Sequence, residues 1–315
     1  MEEKTINSYY AAKRQTQISN IIFDAIIFIV LAFVVVATVY PFWNTIAISF
    51  NDGFDSLKGG IKLWPRKFTW QNYADLFTTD EIFHAGIISV SRTILQTVFC
   101  VYCTAMLAYA LSRKEFVLRK PLTSVVVISM YINAGLIPGY MLMKNLHLIG
   151  KFAVYVVPCL VDVFNFILVR TYINGLPDSF VESARIDGAN EFKIFMQIIM
   201  PLIVPSIAMI SLFVAVGAWN SWFDTYLFCS NKPELHSLQY VLMSYLQASQ
   251  NQSSSASDAG SMAVAAAAGS TSSGRTTPIS IRSSITVVAT LPILVVYPFV
   301  QKYFVVGMTI GGVKE

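Results

Sequence analysis

PDSFVESARIDGANEFKIFMQIIMP, residues 177 to 201, is a polar interruption between two long apolar segments. Pro177 and Asp178 stop the preceding helix, and Ser179 with Glu182 three residues on spells a capping box, so the spacing predicts a short helix beginning at Ser179. Gly188 supplies a residue that can turn left-handed and end that helix, after which Glu191 to Met200 forms a second one. Pieces this short bury too little to persist alone, because helix nucleation is costly. They need a surface to pack against, and the rest of the chain must say which.

The chain has 315 residues, 55% hydrophobic and only 13% charged, with a mean hydropathy of +0.58. That balance excludes an ordinary soluble domain and indicates a membrane protein. Apolar stretches at 21–48, 83–112, 121–143, 152–175, 201–228 and 279–303 are each about long enough to cross a hydrocarbon core. The expectation is therefore an all-α polytopic membrane protein with six transmembrane helices: a tail at 1–20, a six-helix domain at 21–303 and a second tail at 304–315. Six spans leave both ends on one side. The net charge of +4 matters less than where the cations lie. Lys4, Lys13 and Arg14 in the first tail, and Arg113, Lys114, Arg119 and Lys120 between the second and third stretches, place those segments in the cytoplasm. Both termini and 177–201 then face the cytoplasm, and 49–82 and 229–277 face outward, with Lys58, Lys62, Arg66 and Lys67 in the first outer segment opposing that orientation. The first apolar run is too long for a signal-peptide core and lacks a small-residue cleavage site, so it reads as a retained span.

Between the first two spans, turn signals at Asp52-Gly53 and Gly59-Gly60 and a Trp64-Pro65 stop predict a small ordered loop. Its aromatics Trp64, Phe68, Trp70 and Tyr73 suit an interfacial belt or a docking face for an outer partner. Arg92 in the second span and Asp162 in the fourth each lie about ten residues from the outer end, at roughly 15 Å depth. Unpaired they would be expensive, so a structural ion pair between neighbouring helices is expected, in preference to a role in moving substrate. The third span holds Tyr131, Asn133, Gly135, Pro138, Gly139 and Tyr140, which predicts a break or kink whose freed backbone groups need a protein or cavity environment. With Asn165 on the fourth span and Trp219, Asn220, Trp222 and Asp224 on the fifth, Tyr131, Asn133 and Tyr140 resemble the lining of a passage for a polar, ring-shaped solute: aromatic faces to stack on, amides and a carboxylate for hydroxyls. Interfacial anchoring competes as a role for Trp219 and Trp222. HSLQYVLMSYLQ reads as an amphipathic helix, and the Ser, Ala and Gly rich run at 251–277 as flexible or weakly helical.

Cys100 and Cys103 form a C-x-x-C inside an apolar span, where small packing residues are the better reading than redox chemistry; Cys159 and Cys229 add no metal or disulfide spacing. No phosphate-binding G-x-x-x-x-G-K-[ST], H-E-x-x-H or G-x-S-x-G occurs, and His84, His147 and His236 are scattered, so the chain is expected to be no enzyme and to hold no metal or cofactor itself. Any ATP-driven motor must be another chain. A secondary transporter coupled through Asp162, and a membrane scaffold or sensor, are the rival classes; the first predicts inverted repeats, of which none is evident.

In the opening stretch Glu182-Ser183-Ala184, Gly188, Ile198 and Met200-Pro201 keep the spacing of the cytoplasmic EAA loop of bacterial ATP-binding-cassette import permeases: Glu-Ala-Ala, three residues, Gly, nine residues, Ile, one residue, Leu-Pro. AYALSRKEF, GLIPGYMLMKNLHLIGKFAVYVVP, Trp219-Asn220 and LPILVVYPFVQKYFVVGMTIGGVKE resemble the maltose-permease-type carbohydrate uptake family, and GGIKLWPRKFTWQNY resembles its branch that takes up oligosaccharides and polysaccharide fragments. The resemblance implies a type I importer transmembrane domain in the bacterial cytoplasmic membrane. It also implies a second permease subunit, two cytoplasmic ATPases carrying ATP and magnesium, and an extracytoplasmic solute-binding protein. On this reading the helix from Ser179 to Asp187 docks into the ATPase. Phe180, Val181 and Ala184 make apolar contact, Ser183, Ala184 and Gly188 permit close approach, and Glu182 stabilises the helix N-terminus and pairs with Arg185. The alternative is an amphipathic helix lying on the membrane surface.

Overall fold

A computed structural model gives the structure of residues 2–78, 80–255 and 277–310. Among them the regular structure is helical, apart from one isolated antiparallel bridge between Asn51 and Phe68. The chain divides into two compact units.

Among the described residues, the first unit takes 2–73 and 277–287. Helix α1 (Glu2–Ser49) carries the first apolar run, and every side chain from Phe23 to Trp43 is exposed. An apolar surface all round one helix is stable only in hydrocarbon or against another chain. The loop that follows is ordered by buried amides. Asn51 donates to Asp55 Oδ2 and Ser56 Oγ of α2 (Gly53–Leu57) and accepts from Lys67 N at 2.8 Å. Asn72 donates to Ser49 O and Asn51 O, and Arg66 ties Asp55 to the Gly59 carbonyl. The rings of Phe50, Phe68, Trp70 and Tyr73 pack together above this network. The small ordered loop is as expected.

The second unit is built on α4 (Asp80–Ser112), which follows α3 (Gln71–Thr78). Its small residues Ala105 and Ala108 are fully buried, letting α7 (Val163–Asn174) and α11 (Val204–Asn220) approach closely. Phe166, Val169 and Ile173 of α7 and Ile210 of α11 complete one core with them. Val181 and Ala184 of α8 (Ser179–Ile186) belong to that same core, as do Ile194 of α9 (Glu191–Ile194) and Phe195 and Ile199 of the π turn Phe195–Ile199. The surface that the short helices needed is therefore the end of the α4, α7 and α11 packing.

Among the described residues, two helices are apolar and long enough to cross a membrane unbroken, Phe23–Ser49 and Asp80–Ser112. Two further pairs qualify only as bent spans: Phe152–Cys159 with Val163–Asn174 at 45°, and Glu191–Leu202 with Val204–Asn220 at 82°. The second bend falls at Ile203, between α10 (Met200–Leu202) and α11, where Pro201 and Pro205 remove backbone donors. Within the expected span 201–228 the unbroken helix α11 runs from Val204 to Asn220, and after Ser221 and Trp222 the chain turns into α12 (Phe223–Cys229).

The third stretch breaks as expected, into α5 (Arg119–Ser129) and α6 (Leu136–Asn145). The cause is Asn133, whose Oδ1 accepts the Gly135 N–H, together with Gly135 at φ +86°. Pro138 and Gly139 sit in the first turns of α6, where a missing donor costs little. The amphipathic segment forms α13 (Leu238–Ser255), which buries Leu238 and Val241 and packs against α4. The last apolar stretch lies in α14 (Pro278–Ile310), which contains Pro292 and Pro298 and continues past the expected boundary at 303. Most of the run at 251–277, and residues 311–315, lie outside the described residues. The four cysteines are free, and Cys100 and Cys229 are buried.

Candidate functional site

Helix α8 begins at Ser179, as the spacing predicts, but not through a capping box. Asp178 precedes it with helical backbone angles and no side-chain cap, because its carboxylate is drawn 2.8 Å away to Lys114. The end is as predicted: Gly188 lies at φ +79°, and Ala189 N returns to Ala184 O at 3.0 Å. Asn190 then caps α9 by accepting from Lys193 N at 2.8 Å.

Burial divides the α8 residues in a way that corrects the expected docking set. Val181 and Ala184 are 5% and 6% exposed and hold the helix to the core, so neither is available to a partner. The outward face is Phe180, Glu182, Ser183, Ile186, Asp187 and Gly188. Ile186, 86% exposed, lies on this face and is not among the residues expected there. The signal was present: Val181 and Ala184 fall three apart on one face, and Ile186, a large apolar side chain, falls off it. Arg185 does not pair with Glu182. It reaches Glu115 at 2.7 Å and Glu191 at 2.8 Å, and Glu191 accepts from Tyr109 of α4 at 2.7 Å. Arg113 stacks on the Tyr109 ring at 4.9 Å. The result is a polar strap from α4 through α9 and α8 to the loop after α4, around a cleft of about 430 Å³ floored by Met106, Phe192 and Phe195.

The hydrogen bond from Arg185 holds the Glu115 carboxyl down at about 2, from an ordinary 4.5. A depressed carboxylate stabilises the fold above its ordinary value, and that contribution is lost as pH falls from about 4.5 towards 2. Both groups are exposed, so the tether is worth at most about 1 kcal/mol. Hydrogen exchange across α8 is expected to quicken over that pH window in the wild type and to be already fast, and less pH-dependent, in Glu115→Gln; identical profiles would remove the strap's role.

The expected ion pair is also corrected. Arg92, 1% exposed, pairs through both terminal nitrogens with Asp224, not with Asp162, and lies 4.4 Å from the Tyr155 ring. Tyr155 in turn donates to Leu235 O at 2.7 Å, and Asp224 accepts from Ser221 Oγ and Thr225 N at 2.9 Å each. Asp162 instead caps α7, accepting from Asn165 N at 2.8 Å. That structural task leaves the ion-coupling reading of Asp162 without a supporting observation.

The proposed passage residues do not assemble as one lining. Tyr131 and Asn133 are exposed at the third-span break, and Tyr140 stacks on Phe228 at 6.1 Å between centroids. Trp219 is buried and donates to Ala289 O of α14 at 2.8 Å, a packing role. Asn220 accepts from Gln239, and Trp222 joins Phe223 and Tyr226 in an aromatic group. Asn165 lines a cavity of about 510 Å³ between α4, α7 and α11. No group of three or more potential metal ligands occurs among the described residues.

Residues 93–304 match the family described as the binding-protein-dependent transport system inner membrane component. The chain is 33% identical over 295 residues to the polygalacturonan/rhamnogalacturonan transport system permease protein YtcP of Bacillus subtilis, covering 94% of this chain and 99% of that protein. It is 27% identical over 288 residues to the arabinooligosaccharides transport system permease protein AraQ of Halalkalibacterium halodurans, covering 90% and 94%. A crystal structure of a bacterial ABC transporter involved in the import of the acidic polysaccharide alginate contains a chain that superposes with a TM-score of 0.77 at 26% identity, covering 91% of this chain and 98% of that one.

Proposed function

The chain belongs to the family of binding-protein-dependent transport system inner membrane components, and from that membership we propose that it is the permease subunit of an ATP-driven importer of oligosaccharides. It sits in the inner membrane and works with an extracytoplasmic binding protein, a second permease and two cytoplasmic ATPases. ATP and magnesium are held by those ATPases, and this chain supplies no hydrolytic group. The proposed topology has six spans, with the third, fourth and fifth broken or bent, both termini in the cytoplasm, and the α8 region as the coupling loop.

The observation that carries this reading is the two-sidedness of α8. Its inner face, Val181 and Ala184, is part of the transmembrane core, while its outer face offers Phe180 and Ile186 beside Ser183 and Asp187. A helix so anchored moves with α4, α7 and α11, so closure of an ATPase pair gripping the outer face is delivered to the spans as rigid-body motion. The strap through Arg185, Glu191 and Tyr109 removes slack between the two. Reconstitution in liposomes with the partner chains tests it. Oligosaccharide uptake is expected only with ATP inside the ATPase compartment and with the binding protein outside. Uptake driven by an ion gradient without ATP would refute the assignment.

A further inference from the structure

At one end of the second unit the last turn of α4 lies beside the start of α5 and the last turns of α7. Two arginines come together there. Arg119 donates to Ser112 O at 3.4 Å and Arg170 to Leu111 O at 3.2 Å, so the two guanidiniums rest on consecutive carbonyls at the end of α4. Cations suit a helix C-terminus, but a guanidinium has more N–H donors than the one that each spends there. Neighbouring cations have partners: Lys114 pairs with Asp178, Arg185 with Glu115 and Glu191, and Arg113 stacks on Tyr109. Arg119 and Arg170 have no carboxylate partner among the described residues, and the charge acting on Arg170 is that of Arg119, of the same sign. Lys120, exposed, follows Arg119 in the chain. Unlike Nε of Arg92, no nitrogen of Arg119 or Arg170 is buried without a partner, so the spare donors are reachable from outside. Beside them the surface is apolar: α5 buries no side chain, and its Leu122 and Val125 are 40% and 64% exposed.

We propose that Arg119 and Arg170 hold the phosphate of an anionic phospholipid of the cytoplasmic leaflet, whose chains run along α5 over Leu122 and Val125; the choice of leaflet rests on the topology given above. A phosphate accepts paired N–H bonds from a guanidinium and removes the repulsion between the two arginines. Arg170 lies four residues before the end of α7 at Asn174, about 6 Å short of it, a depth from which a long side chain reaches the headgroup level. Basic pockets between spans on the cytoplasmic side favour anionic headgroups. A zwitterionic headgroup offers the same phosphate but brings an ammonium towards Arg119, Arg170 and Lys120, so a net negative headgroup is selected. A free anion would satisfy the guanidiniums and leave the apolar face of α5 uncovered. The bound lipid ties α5 to α7 at the end of α4.

The test uses the whole complex purified with its partner chains, supplied with phosphatidylglycerol and phosphatidylcholine of equal chain length in equal amounts, and native mass spectrometry counts the lipids retained. The wild type is expected to keep more phosphatidylglycerol than phosphatidylcholine. Arg119→Gln with Arg170→Gln, which leaves amides able to donate to the α4 carbonyls, is expected to lose at least one phosphatidylglycerol, with the phosphatidylcholine count and the partner chains unchanged. Inorganic phosphate in excess should displace none of it, because it has no chains to cover α5. Equal counts of the two lipids on the wild type, an unchanged phosphatidylglycerol count in the variant, or displacement by inorganic phosphate would each overturn the proposal. Loss of a partner chain from the variant with no loss of lipid would overturn it too, since a carboxylate of that chain would then be the counter-ion. The topology is read separately from Val117→Cys, 90% exposed in the loop between α4 and α5. An impermeant maleimide added outside intact cells is expected to leave it unlabelled; labelling would overturn the topology and the choice of leaflet, whatever the lipid counts.

Discussion

Ile186→Asp is expected to strip the ATPases from the complex and abolish ATP-driven uptake, while the chain itself inserts and folds as before. Ile186 is 86% exposed and has no place in the core, so its replacement should change the chain's own stability by no more than about 0.5 kcal/mol. Burying an Ile side chain against a partner contributes about 1.5–3 kcal/mol. Losing that, and desolvating a carboxylate instead, corresponds to a loss in ATPase affinity of at least about tenfold to a hundredfold. Co-purification of the ATPases and uptake into liposomes both read it. Val181→Asp serves as the contrast: it puts a charge into the core and should reduce the amount of folded chain. If Ile186→Asp retained the ATPases at wild-type level, the outer face of α8 would not be the docking surface.

Asp224→Ala is expected to destabilise the chain by about 3–5 kcal/mol, because it leaves the buried Arg92 guanidinium without its counter-charge. Arg92→Met should cost clearly less. Asp224 is 25% exposed and keeps donors from Ser221 and Thr225, whereas Arg92 is 1% exposed and depends on the carboxylate. The double change Arg92→Met with Asp224→Asn should recover most of the loss, since it leaves no net charge to bury. Thermal unfolding in detergent measures all three. Equal effects of the two single changes, or a double variant no better than Asp224→Ala, would contradict this account of the pair.

The two corrections at the candidate site have one physical origin. Sequence spacing placed Arg92 and Asp162 at the same depth, but depth does not choose between carboxylates. After the break that follows Asn220, Asp224 in α12 reaches Arg92, and the break at Leu160 leaves Asp162 to cap α7. Likewise the period of α8 separates Val181 and Ala184 from Phe180 and Ile186, yet it does not say which face is inward. Both faces carry apolar residues, and only the burial of Val181 and Ala184 in the core assigns them.

What the sequence determined by itself was the local and the compositional. Apolar run lengths made the chain a helical membrane protein, Gly188 fixed the end of α8 because a left-handed backbone favours glycine, and Asn133 with Gly135 lies where the third span breaks. The spacing from Glu182 to Pro201 placed the chain in its family. Tertiary structure decided what depends on neighbours distant in the chain: the partner of Arg92, the strap from Tyr109 through Glu191 and Arg185 to Glu115, the packing role of Trp219, and the face of α8 left exposed. Each of these is a choice among chemically equivalent candidates, and only the three-dimensional approach of one of them breaks the tie.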